Sequence, residues 1–246
     1  MELWRYPVKS LLGERLEEVE VGHGCVIGDR EHAVIDVETG SSLSAKRQGE
    51  LLGCRAWTES DGVMVELPDG AQHGVMSAAA ADGLSELLGR RVEVRRAGGD
   101  HEVRHEFPTD FTTGEGEPQL IETGMTSFFD MSPLMLITTA TLRALSRLAP
   151  DSDFAVARFR PNFVVDTDGE GFVEQNWVGG EIELGPIRCH VVDHCIRCVM
   201  TTRPQGDVPR DKAILQTVAK HNDSRAGIRL RAETAGTVSI GDKVTA

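Results

Sequence analysis

Short runs of alternating apolar and polar residues, most of them closed by proline or glycine, recur along this chain and leave little room for long helices. Such alternation puts the apolar side chains on one face of a strand. Residues 2–6 (stopped by Pro7), 16–21, 32–37 and 62–67 (closed by Pro68-Asp69-Gly70) are predicted strands. So are the Val92/Val94 segment, Leu134–Thr138, 163–166, Glu181–Leu184, 188–192, Val199–Thr202, 228–232 and 237–240. Three segments read as helices. Ala78–Leu88 sets Leu84, Leu87 and Leu88 on one face and stops at Gly89, residues 140–148 follow an N-cap at Thr139 with Leu142, Leu145 and Leu148 inward, and 211–220 is the third. Many short strands with few helices predict an α+β, β-rich barrel architecture rather than a doubly wound sheet.

The pattern breaks once. Residues 98–123 are rich in glycine, proline and acids and poor in apolar side chains, which predicts a linker or long surface loop. It divides the chain into an N-terminal β unit (1–98), the linker (99–123) and a second unit (124–246). No run of about 18 apolar residues is present, so no membrane span is predicted. The chain of 246 residues carries 26 Lys+Arg against 39 Asp+Glu, a net charge of −13. That balance argues against nucleic acid or an anionic membrane as a non-specific partner, because both need a basic face.

The five cysteines are Cys25, Cys54, Cys189, Cys195 and Cys198, an odd set that does not suit an exported disulfide framework. The N-terminus lacks the basic start and apolar core of a signal peptide, so a reducing cytoplasm is expected. Three thiols cluster in Cys189-His190-Val191-Val192-Asp193-His194-Cys195-Ile196-Arg197-Cys198. Cys195-x-x-Cys198 with His190 and His194 can be read as a zinc site, but no second pair of ligands completes it. It can be read as a redox dithiol, but the surrounding sequence is strand-like rather than a helix N-terminus. It can also be read as buried structural cysteine. Arg197 sets a cation beside Cys198, and a thiolate next to a fixed cation is the setting of a nucleophile or a metal ligand.

Arg197-Cys198-x-x-Thr201-Thr202 resembles the cysteine motif of MOSC-domain proteins. Further blocks follow that family in order: Tyr6-Pro7-Val8-Lys9-Ser10, Gly28-Asp29-Arg30, Asp130-Met131-Ser132-Pro133, Arg158-Phe159-Arg160-Pro161-Asn162, and Trp177 ahead of Gly185 with Gly236 and Gly241-Asp242 near the end. The resemblance covers nearly the whole chain. It implies a MOSC-type β-barrel with a few helices, preceded by a smaller N-terminal β-barrel-like domain. It also implies a molybdenum cofactor, a pterin dithiolene that carries molybdenum and ends in a phosphate. Cys198 matches the cysteine that binds molybdenum in the amidoxime-reducing subgroup. Lys9, Arg30, Arg160 and Arg197 match cofactor-contacting cations, and Ser10, Ser132 and Asn162 match neutral contacts. Met131 stands where that subgroup often has threonine, so one hydroxyl contact is missing.

The implied activity is reduction of a small N-hydroxylated compound by removal of its oxygen, with Cys198 and Arg197 in catalytic roles. No four-cysteine iron–sulfur spacing occurs, so the electrons are expected from a separate donor of ferredoxin, flavodoxin or cytochrome type. A monomer is expected, since no long amphipathic seam is visible. Pyridoxal phosphate binding is a further association at the level of the whole family. Three alternatives stay open: a sulfur carrier with a Cys198 persulfide, a non-catalytic cofactor-binding module, and a zinc-stabilised barrel. The residues do not specify the substrate, the donor, or the roles of Cys189, Cys195, His190 and His194.

Overall fold

The chain crosses four times between two apolar cores, and the crossings decide where its polar residues gather. The computed structural model describes residues 1–22, 24–98, 103–122 and 128–246. One core holds Leu3, Val19, Val21 and Val26 together with Leu134, Phe163, Ile187, Val191, Leu230 and Val238. A second holds Val8, Leu11, Val34, Leu43, Leu51, Leu84 and Val94. Tyr6-Pro7 is therefore the point where the chain leaves the first core for the second.

The largest sheet has eight strands. Glu2–Arg5 lies inside it, antiparallel to both Phe163–Val165 and Glu14–Leu16. Leu134–Thr138 runs parallel to Phe163–Val165 and antiparallel to Arg225–Ala232. All five residues of Leu134–Thr138 are buried, as expected of a strand covered on both faces. Ile187–Ile196 joins Arg225–Ala232 to Glu181–Leu184. Glu18–Gly22 pairs with Gly236–Ser239, so the N-terminal strands hydrogen-bond to strands of the second half. A third core, with Ile137, Leu145, Phe154, Phe159, Ile214 and Val218, forms where helices Thr139–Leu148 and Ala213–Asn222 pack on the sheet. The result is a β-rich α+β fold with four α-helices among the described residues.

Helix Ala78–Leu88 has the predicted bounds. Ser77 Oγ accepts from Ala80 N at 3.1 Å, and Gly89 closes the helix at φ 61°, a left-handed conformation that glycine adopts without steric cost. Several other predictions are corrected. The segment 98–123 contains a hairpin, Arg104–Phe107 against Gln119–Glu122, in which His105, Glu106 and Phe107 are all buried. Residues 99–102 and 123 of the expected linker lie outside the described residues. The cap of the second helix is Thr138, whose Oγ1 accepts from Thr141 N at 3.2 Å, and Leu148 is exposed while Ala140, Thr141, Ala144 and Leu145 face inward. Val199–Thr202 forms a 3-10 turn instead of a strand. The strand before it extends through Ile196, with register shifts between Val191 and Asp193 and again between His194 and Ile196.

Candidate functional site

The polar groups collect where the two large cores meet. The segment after Glu2–Arg5 carries Tyr6, Lys9 and Ser10 into the junction, and the turn before His32–Asp36 brings Asp29 and Arg30. Tyr6 N donates to Asp29 Oδ1 at 2.7 Å, and Arg30 N donates to Tyr6 O at 2.7 Å. The guanidinium of Arg30 pairs with Asp29 and lies 4.6 Å from the centre of the Tyr6 ring. Arg160, from the turn after the short helix Val156–Phe159, stacks on the same ring at 4.3 Å and donates to Leu11 O at 2.7 Å. Arg30 Nη2 reaches Arg160 O at 3.3 Å.

Next to this group, Lys9 and Lys46 both bond to Asp130. Both lysines are 4% exposed. Lys9 Nζ also donates to Phe128 O at 3.2 Å, and Lys46 sits 4.2 Å from the centre of the Phe107 ring. Burial, first, pushes Lys9 down to about 8, Asp130 pulls it back, and the like charge of Lys46 lowers it further. Burial raises the Asp130 carboxyl, but Lys46 and Lys9 outweigh it and hold the group well below the usual carboxylate range. Burial pushes the Tyr6 phenol up to about 12 against the pull of Arg160 and Arg30, so Tyr6 stays a neutral donor. Among the described residues, the cations Lys9, Lys46, Arg30 and Arg160 therefore share only Asp29 and Asp130.

Lys9 carries a pH prediction. An amine near 8 in the folded protein, against an ordinary value of about 10.4, means that the unfolded chain binds more protons between those values. Folding stability without a bound anion should rise, from this group, as pH increases through that window. Anion binding should move the opposite way, because the ammonium is lost. The thermal-midpoint gain from added inorganic phosphate is expected to shrink severalfold between pH 7 and pH 9. An unchanged gain would remove Lys9 from the phosphate contacts that the resemblance implies.

The cysteines divide by environment. Cys54 and Cys189 are buried, and burial pushes both thiols up to about 12. Cys195 and Cys198 are half-buried. Arg197 does not pair with Cys198 as its sequence position suggested. Its Nη1 donates to Cys195 Sγ at 2.8 Å and its Nη2 to Phe159 O at 2.6 Å. Residues two apart in extended chain share a side, so Arg197 points with Cys195, while Cys198 opens the following 3-10 turn. The guanidinium of Arg203, whose Nη2 donates to Lys46 O at 2.7 Å, lies within electrostatic reach of Cys198.

The remaining residues singled out in the sequence serve the backbone. Ser10 Oγ accepts from Ala45 N at 3.0 Å. Asn162 Oδ1 accepts from Met135 N at 3.2 Å and its Nδ2 donates to Trp4 O at 3.4 Å. Ser132 Oγ lies 3.3 Å from both Leu134 O and Leu230 O. Sequence reasoning passes over Tyr6 and Asp130, although both stand inside quoted blocks, and it has no signal for Lys46. It also passes over Arg158, which is 0% exposed and donates to the carbonyls of Asp153, Thr201, Arg203 and Pro209.

The backbone is strained in the same place. Ser10, Arg30 and Arg160 hold φ of 68°, 51° and 52°, and Ser224, whose carbonyl accepts from Arg197 N, holds 62°. Left-handed conformations at non-glycine residues cost about 1 kcal/mol or more each and persist where the surroundings enforce them, commonly at binding sites. Tyr6 Oη, Arg160 Nη2, Arg197 Nε and Arg203 Nε are also buried without a hydrogen-bond partner among the described residues. These four groups are donors that the described residues leave unmatched.

Comparison with known proteins covers nearly the whole chain. The MOSC N-terminal beta barrel domain matches residues 1–105 and the MOSC domain matches residues 123–245. Mitochondrial amidoxime reducing component 2 of Bos taurus is 24% identical over 283 aligned positions, which cover 99% of this chain and 81% of the relative. A crystal structure of the YUAD protein of Bacillus subtilis superposes with a TM-score of 0.49 at 10% identity, over 99% of this chain and 91% of that one. No helix among the described residues is long and apolar enough to cross a membrane. With both domains matched in order along the sequence, the chain belongs to the MOSC family.

Proposed function

We propose that this protein is a molybdenum-cofactor-dependent oxidoreductase that removes the oxygen of N-hydroxylated compounds, using electrons from a separate donor protein. The observation that carries the reading is the shortage of acceptors around Tyr6, where Arg30, Arg160 and Arg197 converge. Lys9, Lys46, Arg30 and Arg160 face the carboxylates of Asp29 and Asp130, and Tyr6 Oη, Arg160 Nη2 and Arg197 Nε have no partner among the described residues. Unmatched buried donors cost free energy, about 1–3 kcal/mol each, and an anion rich in oxygen atoms would satisfy them. The residues present therefore fit a phosphate-bearing pterin.

When bound, the molybdenum cofactor would supply the two-electron redox chemistry, with Cys198 as a protein thiolate on the metal. The chain would do the rest. Lys9, Arg30 and Arg160 would hold the phosphate and pterin oxygens. Arg197 would aim Nε at the same ligand while Cys195 and Phe159 O fix its plane. Ser10, Ser132 and Asn162 would keep the contributing segments in register, since their polar atoms bind backbone. The overall change cleaves one N–O bond: the N-hydroxyl compound, two electrons and two protons give the amine or amidine and water.

Elemental analysis tests the reading. Protein purified from a host that makes the cofactor should carry about one molybdenum atom per chain and an equal amount of pterin. Protein from that host with neither would end it. A persulfide on Cys198 in mass spectra of molybdenum-free protein would replace it with sulfur transfer.

A further inference from the structure

Lys46 belongs to none of the sequence blocks that suggested a site. It comes from the Ser41-Ser42-Leu43-Ser44-Ala45-Lys46 stretch of the N-terminal half, and it is fixed from three sides. Arg203 donates to its carbonyl at 2.7 Å, its own N donates to Ser44 Oγ at 3.3 Å, and the rings of Phe107 and Phe111 lie 4.2 Å and 5.8 Å from its ammonium. The ammonium is sealed, yet its partner is not: the Asp130 side chain is 33% exposed, against 6% for Lys46 and 5% for Lys9. Asp130 thus stands between two buried ammonium groups and the outside.

One carboxylate cannot neutralise two ammonium groups. Two like charges in a poorly solvated place repel, and each still wants an anion of its own. The groups packed around the pair do not help. His105 stays neutral, because burial, then Lys9, pushes it down to about 3. Arg30 adds a further positive charge nearby and is itself paired with Asp29. What the cluster lacks is a dianion.

We propose that Lys46 is a phosphate-positioning residue of this site, held by Asp130 until a phosphate monoester arrives and takes the Lys46 ammonium in place of the carboxylate. Lys9 keeps its bond to Asp130, and the incoming dianion supplies the missing negative charge. The inference rests on the anion site described under the proposed function but assigns it a residue outside the sequence blocks that suggested that site. The aromatic roof formed by Phe107 and Phe111 excludes water from the exchanged pair, which strengthens a charge-assisted bond.

The test compares wild type with Lys46→Met, Lys46→Gln and Lys46→Arg, each checked for folding by circular dichroism. Inorganic phosphate binding is followed by its effect on the thermal midpoint of cofactor-free protein. Pterin content is followed by fluorescence of the oxidised pterin, in protein made with limiting cofactor. The neutral variants should bind phosphate about tenfold more weakly, while Lys46→Arg keeps most of the affinity. Pterin content should fall in parallel if the phosphate is that of the cofactor. A fall in the phosphate arm alone assigns Lys46 to the phosphate of another ligand. A folded neutral variant that binds phosphate as wild type does overturns the proposal, and so does a wild type that binds no phosphate. Wild type that takes up neither pterin nor molybdenum counts against the proposed function only, since the phosphate arm reads Lys46 without the cofactor.

Discussion

Cys198→Ser should abolish reduction of benzamidoxime with a chemical electron donor, by at least about a hundredfold, while the protein stays folded. Removing groups that merely orient a metal ligand typically costs 10–100-fold, so loss of a ligand should cost at least the upper end. The substitution is otherwise mild. Cys198 is half-buried, and its carbonyl, which accepts from Thr201 N at 3.1 Å and Thr201 Oγ1 at 3.0 Å, is untouched. Its side chain makes no cap to the 3-10 turn that follows, and serine at such a position is favoured. The urea midpoint should therefore correspond to a change within about 1 kcal/mol. Full activity in this variant would contradict the metal-ligand role. Loss of activity with wild-type pterin content would place the defect at the metal rather than in cofactor uptake.

Arg158→Met should destabilise the fold by about 3–5 kcal/mol, far more than Cys198→Ser. Arg158 bonds four carbonyls, those of Asp153, Thr201, Arg203 and Pro209, at 2.7 to 3.4 Å. A buried carbonyl stripped of its donor, as Thr201 O would be, costs about 1–3 kcal/mol, and the three part-buried carbonyls add less because water can reach them and the turn can relax. Lysine presents one ammonium where the guanidinium presents a fork of donors, so Arg158→Lys should recover only part of the loss. Chemical denaturation measures the total. Hydrogen exchange locates it, with faster exchange expected first at Thr201 N and Arg203 N, which close the turn next to Cys198. A Met variant within about 1 kcal/mol of wild type would show that the turn stands without its clamp.

What can be read in advance follows from how far each signal reaches along the chain. Helix Ala78–Leu88 is legible because Ser77, Gly89 and the leucine spacing are all local. Leu134–Thr138 is legible because five successive buried positions leave a continuous apolar run. Val199–Thr202 reads as a strand because of its β-branched residues, yet that composition suits equally a short turn clamped by Arg158, which lies 43 residues from Thr201 in the sequence. The hairpin of Arg104–Phe107 hides inside an acidic, glycine-rich stretch whose composition outweighs two buried rings. At the site, Lys9, Arg30, Arg160 and Cys198 stand in recognisable blocks. Lys46 does not, since a lysine among small hydroxyl residues looks solvated until the fold lowers Phe107 onto it. The side to which Arg197 turns depends on where the strand ends, which the sequence pattern alone leaves open.

The position of Glu2–Arg5 between Glu14–Leu16 and Phe163–Val165 has a consequence for synthesis. Glu14–Leu16 can pair with this strand soon after it is made, but its other edge must wait, unpaired, until some 160 residues more have emerged and Phe163–Val165 exists. Vectorial, half-by-half maturation is closed to such a topology. Closure of the large sheet should be a late event, and chains arrested midway should present an open, sticky edge that invites chaperone capture.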